Sequence, residues 1–197
     1  MISKITEHVL RKILSKYKLN DIDEDIYSYG LFMFLSFVIF GIITLAFGII
    51  FGCIIESIIF YMLFQLLRKY CGGYHAGTCG KCEIMTSLII LICIALIKAV
   101  VYLNFEKFLF FVSAIFAIII YCLSPVDTME NPLSVEEKTM YRKISRITIL
   151  IMISIVSFAY GANFNLLSIP SCISIVLEGV LLIAGKIKNS KRKIDIG

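Results

Sequence analysis

The chain has 197 residues, of which 59% are hydrophobic and only 17% charged, with a formal net charge of +5. A soluble domain runs closer to half apolar and a quarter charged, and one this small cannot hide the excess from water. A water-soluble globule, a disordered chain and a secreted disulfide scaffold are therefore excluded, and an integral membrane protein is expected.

Residues 1–29 carry Lys4, Arg11, Lys12, Lys16 and Lys18, then the acidic cluster Asp21, Asp23, Glu24 and Asp25. They hold no apolar run and no small-residue cleavage site, which argues against a removable signal peptide. Ile5, Val9, Ile13 and Tyr17 recur every four residues, with Leu10 and Leu14 beside them. That stripe predicts an amphipathic helix lying on the membrane surface; a helix packed on the protein's own loops is the alternative.

From Leu31 to Leu67 the chain is almost wholly apolar. One straight helix over this run would reach about 55 Å, against a hydrocarbon core of about 30 Å. Two spans, 31–48 and 49–67, turning near Gly48–Gly52, fit instead. Further spans are predicted over 84–103, 107–124, 146–162 and 166–185. The fold class is thus all-α, a single polytopic membrane domain of about six transmembrane helices plus the N-terminal surface helix. Asn163 and Asn165 leave only a short turn before the last span, and Pro170 interrupts it, so four full spans with re-entrant segments are an alternative.

The basic residues test the count. All but two of the 19 Lys and Arg fall in four places. These are the N-terminal segment, the loop 68–83, the stretch with Lys138, Arg142, Lys143 and Arg146, and the tail from Lys186 onward. Lys98 and Lys107 are the exceptions. By the positive-inside rule both termini and the loop 68–83 are cytoplasmic, with an even number of spans. Glu56, Lys98 and Glu178 lie within apolar runs, where a charge is paired, water-facing or functional. Lys98 has the alternative of snorkelling to the outer surface. Gly48-x-x-x-Gly52 reads either as a close helix contact or as the turn between the first two spans.

Chemistry concentrates in Arg68-Lys-Tyr-Cys71-Gly72-Gly73-Tyr-His75-Ala-Gly77-Thr78-Cys79-Gly80-Lys81-Cys82. This stretch holds three of the seven cysteines and one of the two histidines; the other, His8, is read as solvated. Cys71, His75, Cys79 and Cys82 could form a cramped Cys3His metal site. Alternatively Cys82 is a nucleophile with His75 as its base. The i, i+7 spacing would leave them about 10 Å apart on a straight helix, so the chain must bend between them, with Gly77 and Gly80 as the candidates. A third reading is a reduced loop whose cysteines are merely small apolar residues.

Arg68, Gly72-Gly73, His75 and Cys82 between apolar spans resemble the AgrB (accessory gene regulator protein B) family, membrane peptidases of peptide quorum sensing. Ser124-Pro125-Val126-Asp127 and Glu130-Asn131-Pro132-Leu133, followed by Lys138, Arg142 and Lys143, resemble that family's short loop after the fourth span and its basic patch. The resemblance covers essentially the whole chain. It implies that Cys82 is the nucleophile and His75 its general base, with Arg68 and Gly73 binding substrate or orienting the loop. It implies cleavage of a membrane-associated precursor peptide (AgrD-like) near its C-terminus through an acyl-enzyme thioester. Ring closure by an internal Cys or Ser then gives a thiolactone or lactone.

Lys138, Arg142 and Lys143 are expected to attract the precursor's acidic tail. No third catalytic acid is evident among Glu83, Asp127 and Glu56. The resemblance also implies a bacterial cell-membrane location and a homodimer; no cofactor, metal or nucleic-acid partner is expected. A transporter or sensor subunit with a Cys/His metal loop is the alternative function.

Overall fold

The computed structural model describes residues 2, 6, 9, 21–74, 79–127 and 133–196, and the side chains of all of these except 21–26, 79 and 191–196. The surface helix expected within 1–29 lies largely outside the described residues, as does His8. Six helices follow in chain order: α1 (Asp21–Phe51), α2 (Ile54–Cys71), α3 (Cys79–Leu103), α4 (Glu106–Leu123), α5 (Val135–Gly161) and α6 (Asn165–Ile196). Five contain stretches long and apolar enough to cross a membrane: Tyr27–Phe51, Gly80–Leu103, Glu106–Leu123, Val135–Gly161 and Asn165–Ser190. The other, α2, has 18 residues and carries its charges, Glu56, Arg68 and Lys69, in its first and last turns. At about 27 Å it nearly matches the hydrocarbon core.

The helices outrun the expected spans for identifiable reasons. α5 starts at Val135 rather than 146 because Ser134 and Glu137 form a reciprocal capping box. The Ser134 hydroxyl accepts from the Glu137 N–H at 3.2 Å, and the Glu137 carboxylate accepts from the Ser134 N–H at 2.9 Å. α6 continues through Pro170. That proline stands in the second turn, where its missing N–H deprives only one carbonyl, that of Leu166. α1 opens on the acidic cluster, at the helix end where acidic residues are favoured.

One end of the bundle holds three tight turns. Gly52 adopts φ +62°, and its N–H donates to Ile49 O at 3.1 Å while Cys53 N donates to Gly48 O at 2.8 Å. A Cβ on Gly48 would stand 2.9 Å from Ser57 Oγ, so the Gly-x-x-x-Gly pair serves the α1–α2 hairpin within this chain. The same turn puts Glu56 in the first turn of α2, where a carboxylate meets free N–H groups. Asn104 and Asn163 take φ +55° and +54° in the other two turns. Asn165 Nδ2 donates to Glu106 Oε1 at 2.9 Å and ties those turns together.

α6 is the spine. It packs on α2, α4, α5 and α3, while α1 covers α2 and α3 from the far side. Of its apolar stretch 61% is buried, against 28% or less in α1, α3, α4 and α5. Its buried face carries Ser168, Ser171, Ser174 and Glu178, small polar residues that let helices approach closely. Ser174 Oγ reaches Phe60 O on α2 at 3.0 Å and Pro170 O at 2.9 Å. Large apolar side chains such as Phe108, Phe111, Ile118 and Phe158 point outward, as they must where the solvent is lipid. Two apolar grooves of about 370 and 320 Å³ run along the flanks, between α4 and α5 and between α1 and α2.

Candidate functional site

The end opposite the tight turns gathers the residues singled out in the sequence. α2 stops at Cys71 because Gly72 and Gly73 take φ +77° and +116°, conformations that only glycine adopts without strain. A Cβ on Gly72 would collide with the Val126 carbonyl. The chain leaves α2 as a short extended segment, and the loop expected over 68–83 is shorter in backbone terms. Residues 68–71 belong to α2 and 79–83 to α3, leaving 72–78 between them.

That segment is held from three sides. Val126 N donates to Cys71 O at 2.9 Å and Gly73 N to Val126 O at 3.1 Å, a single parallel bridge pairing Gly72 with Val126. Tyr74 N donates to Leu181 O on α6 at 3.0 Å. Arg68 closes the third side: Nη1 donates to Gly72 O at 2.8 Å and Nη2 to Tyr74 O. The Arg68 guanidinium thus binds the backbone of its own loop. Gly73 favours the absence of a side chain, since its φ is +116° and a Cβ would lie 3.2 Å from Leu181 O and crowd the Arg68 guanidinium. Gly185 on α6 must lack one, since its Cβ would be 2.8 Å from Gly73 C and from Tyr74 N. The Lys188 ammonium sits 5.2 Å from the centre of the Tyr74 ring.

The partner segment is itself anchored. Asp127 Oδ2 pairs with Lys138 Nζ at 2.8 Å, and Asn189 Nδ2 donates to Asp127 O at 2.6 Å. Ser124 and Ser145 share a buried hydroxyl–hydroxyl hydrogen bond of 2.8 Å. Of the basic patch, Lys138 is thus engaged with Asp127, whereas Arg142 and Lys143 are exposed on the next turns of α5.

Cys82 is a free, half-buried thiol in the first turn of α3. Gly80 is helical there and supplies no bend. His75, Gly77 and the side chain of Cys79 lie outside the described residues, and so does the expected bend between His75 and Cys82. Glu130, Asn131 and Pro132 lie outside as well. Cys71 is wholly buried among Leu67, Ala117, Ile120, Val126 and Leu182, surroundings that disfavour a thiolate. Of the candidate third acids, Glu56 belongs to the opposite end of α2 and Asp127 is engaged by Lys138. Glu83, next to Cys82, accepts from Ile2 N at 3.0 Å. Among the described residues no three His, Cys, Asp or Glu side chains gather as a metal site requires.

Sequence reasoning flagged Glu178 as an in-span charge without giving it a place. It lies one turn below Leu181 on α6, fully buried. Of the residues that grip the Gly72–Tyr74 segment, Val126 was noted only within the 124–127 stretch, and Leu181 and Gly185 went unassigned. Only Gly185 left a signal, a glycine seven residues after the buried acid.

The model of the family described as Accessory gene regulator B matches residues 2–183. The chain is similar to AgrB-like protein 2 of Clostridium perfringens (strain 13 / Type A), with 30% identity over 187 residues covering 89% of this chain and 86% of that one. It is also similar to an AgrB-like protein of Clostridium perfringens (strain SM101 / Type A), with 28% identity over 189 residues covering 91% and 88%. No solved structure matches.

Proposed function

The chain belongs to the AgrB (accessory gene regulator B) family, and on that premise we propose that it is a membrane cysteine endopeptidase that trims and cyclises an AgrD-like precursor. His75 takes the Cys82 proton, and the sulfur attacks the carbonyl of the scissile peptide bond. The C–N bond breaks, and the proton passes to the leaving amine of the C-terminal tail. The N-terminal part stays on Cys82 as a thioester. An internal Cys or Ser of the precursor then attacks that thioester, closing the ring and returning the Cys82 thiol. A thioester conserves the activation of the broken amide, so exchange can compete if bulk water is kept away.

The observation that carries this reading is the anchoring of Gly72–Tyr74 on Arg68, Val126 and Leu181. It fixes the backbone immediately before His75, and a half-buried Cys82 opens the next helix. Backbone N–H groups in the first turn of α3 lack intrahelical acceptors and suit an oxyanion. Arg68 and Gly73 act here as loop-orienting residues. Lys138, Arg142 and Lys143 draw in the acidic tail. In this reading both termini and the site are cytoplasmic, where thiols stay reduced, and the working unit is a homodimer in the bacterial cell membrane.

The test is cleavage of a synthetic precursor by reconstituted protein, with mass spectrometry of the enzyme. A hydroxylamine-sensitive adduct on Cys82 is expected, absent in Cys82→Ser. A Cys82→Ser protein that processed precursor at a near-normal rate would end the mechanism.

A further inference from the structure

The larger of the two flank grooves, about 370 Å³, follows the seam between α4 and α5. Ala114, Ala117 and Tyr121 line it from α4, and Ile149, Leu150 and Ile153 from α5. The α4 residues recur at steps of three and four, and Ile149 and Ile153 at a step of four, so each row is one helix face. The two alanines are what leaves the seam unfilled. Further along the same rows Phe110 and Tyr160 stack at 4.5 Å and close that end.

The other end opens at a cation. The Arg146 guanidinium stands 4.7 Å from the centre of the Tyr121 ring, and its Nε donates to Tyr121 O at 3.4 Å. Neither partner neutralises it. Among the described residues Arg146 pairs with no carboxylate, and its Nη groups meet no acceptor. Arg142, one turn earlier on α5, is exposed and adds a second positive charge. α4 has 18 residues, about 27 Å, so its last turn brings Tyr121 to the edge of a hydrocarbon core about 30 Å thick. Tyrosine and arginine both suit that depth. The groove between α1 and α2 is of similar size but is lined by no Arg or Lys.

We propose that the α4–α5 seam binds one anionic phospholipid, with an acyl chain in the groove and the phosphate on Arg146. Basic pockets between membrane helices suit such headgroups, and the two Nη groups can meet phosphate oxygens side by side. A free phosphate would leave the groove unfilled. A zwitterionic lipid would bring a cation of its own beside Arg146 and Arg142. The bound lipid braces the seam where α4 hands over to the 124–127 segment: Ser145, next to Arg146, shares its hydroxyl hydrogen bond with Ser124. The inference goes beyond the peptidase reading and requires no catalysis.

The full-length protein, in lipid-free detergent, is titrated with phosphatidylglycerol, phosphatidylcholine or inorganic phosphate, and read by native mass spectrometry and thermal unfolding. Phosphatidylglycerol should give a one-to-one adduct and a raised unfolding temperature, phosphatidylcholine should bind about tenfold more weakly, and phosphate should shift nothing. Arg146→Gln removes the cation and Ala114→Leu fills the groove; each should weaken phosphatidylglycerol binding by about tenfold. A diazirine on the acyl chain of phosphatidylglycerol should label residues 114–121 and 149–153 above Phe108 and Phe158, which face lipid elsewhere. Equal binding of the two lipids, a shift reproduced by phosphate, unchanged binding in either variant, or labelling without enrichment in the seam would each overturn the proposal. Loss of seam labelling in a dimer would give the groove to a second copy, and loss on adding synthetic precursor would give it to the peptide; either overturns it as well. Should a variant fail to fold, the lipid preference and labelling of the parent protein decide.

Discussion

Gly185→Ala sets two effects of opposite sign against each other, and Gly80→Ala isolates one of them. Both glycines are helical, in α6 and α3, and replacing Gly by Ala inside a helix is worth about 0.5–1 kcal/mol. At Gly80, in the first turn of α3, nothing lies within 4 Å of the added Cβ, so a gain at or below the low end of that range should appear with no opposing term. At Gly185 the Cβ would stand 2.8 Å from backbone atoms of Gly73 and Tyr74. Restoring ordinary contact requires the segment to recede by about 0.6 Å, which stretches the Tyr74 N–Leu181 O bond from 3.0 Å past hydrogen-bonding range. The lost bond costs about 0.5–1.5 kcal/mol and the overpacking about 1–3 kcal/mol. After the helical gain, Gly185→Ala should destabilise by about 2 kcal/mol. Thermal unfolding of the two variants beside the parent protein measures both signs, and cleavage per folded molecule should fall only in Gly185→Ala. If Gly185→Ala unfolded at or above the parent temperature, the gripping of Gly73–Tyr74 by α6 would be refuted.

Three other outcomes are expected on the proposed function. His75→Ala should abolish precursor cleavage as Cys82→Ser does, whereas Cys71→Ser and Cys79→Ser should keep most of it. Cys71→Ser should nonetheless unfold earlier, since it places a hydroxyl in an apolar cluster at a cost of about 1–3 kcal/mol. Reversing charge at Lys138, Arg142 and Lys143 together should raise KM for the precursor at low salt and lose that effect at high salt; an unchanged KM would refute the tail-binding role. Introduced cysteines near residues 140 and 188 should react with a membrane-impermeant thiol reagent only in inverted vesicles, and labelling in whole cells would reverse the orientation.

What was legible in the sequence was whatever water or lipid enforces residue by residue. Long apolar runs and the bias of Lys and Arg each act locally, so six helices and the polar loop between the second and third could be read directly, whereas the bend was expected at Gly77 and Gly80 and the turn found at Gly72 and Gly73. Helix ends were less legible because caps decide them: the Ser134–Glu137 box carries α5 eleven residues beyond the apolar run expected from 146. Pro170 looked disruptive only because its position within α6 was unknown. The grip on the loop was not legible at all. Val126 and Leu181 contribute carbonyl oxygens, and a backbone acceptor leaves no mark on side-chain identity. Gly185 and Glu178 did leave marks, but their meaning depends on which helix faces Gly73, which no periodicity specifies.

The two halves of the proposed dyad stand on supports of different character. The backbone before His75 is tied to α2 through Arg68, to the 124–127 segment through Val126, and to α6, the most enclosed helix. Cys82 rides on α3, whose apolar stretch is only 22% buried and which meets α6 along a limited seam. Packing density governs how far an element can shift, because a tightly interdigitated interface has few alternative arrangements and a lipid-facing one has many. The segment that leads toward the proposed base is thus held from three sides, whereas the proposed nucleophile rides on a less enclosed helix. A thioester enzyme gains from that asymmetry. In the proposed reaction the acyl group passes first from the leaving amine to the Cys82 sulfur and then to an internal nucleophile approaching from elsewhere, and a sulfur on the less enclosed helix suits both geometries.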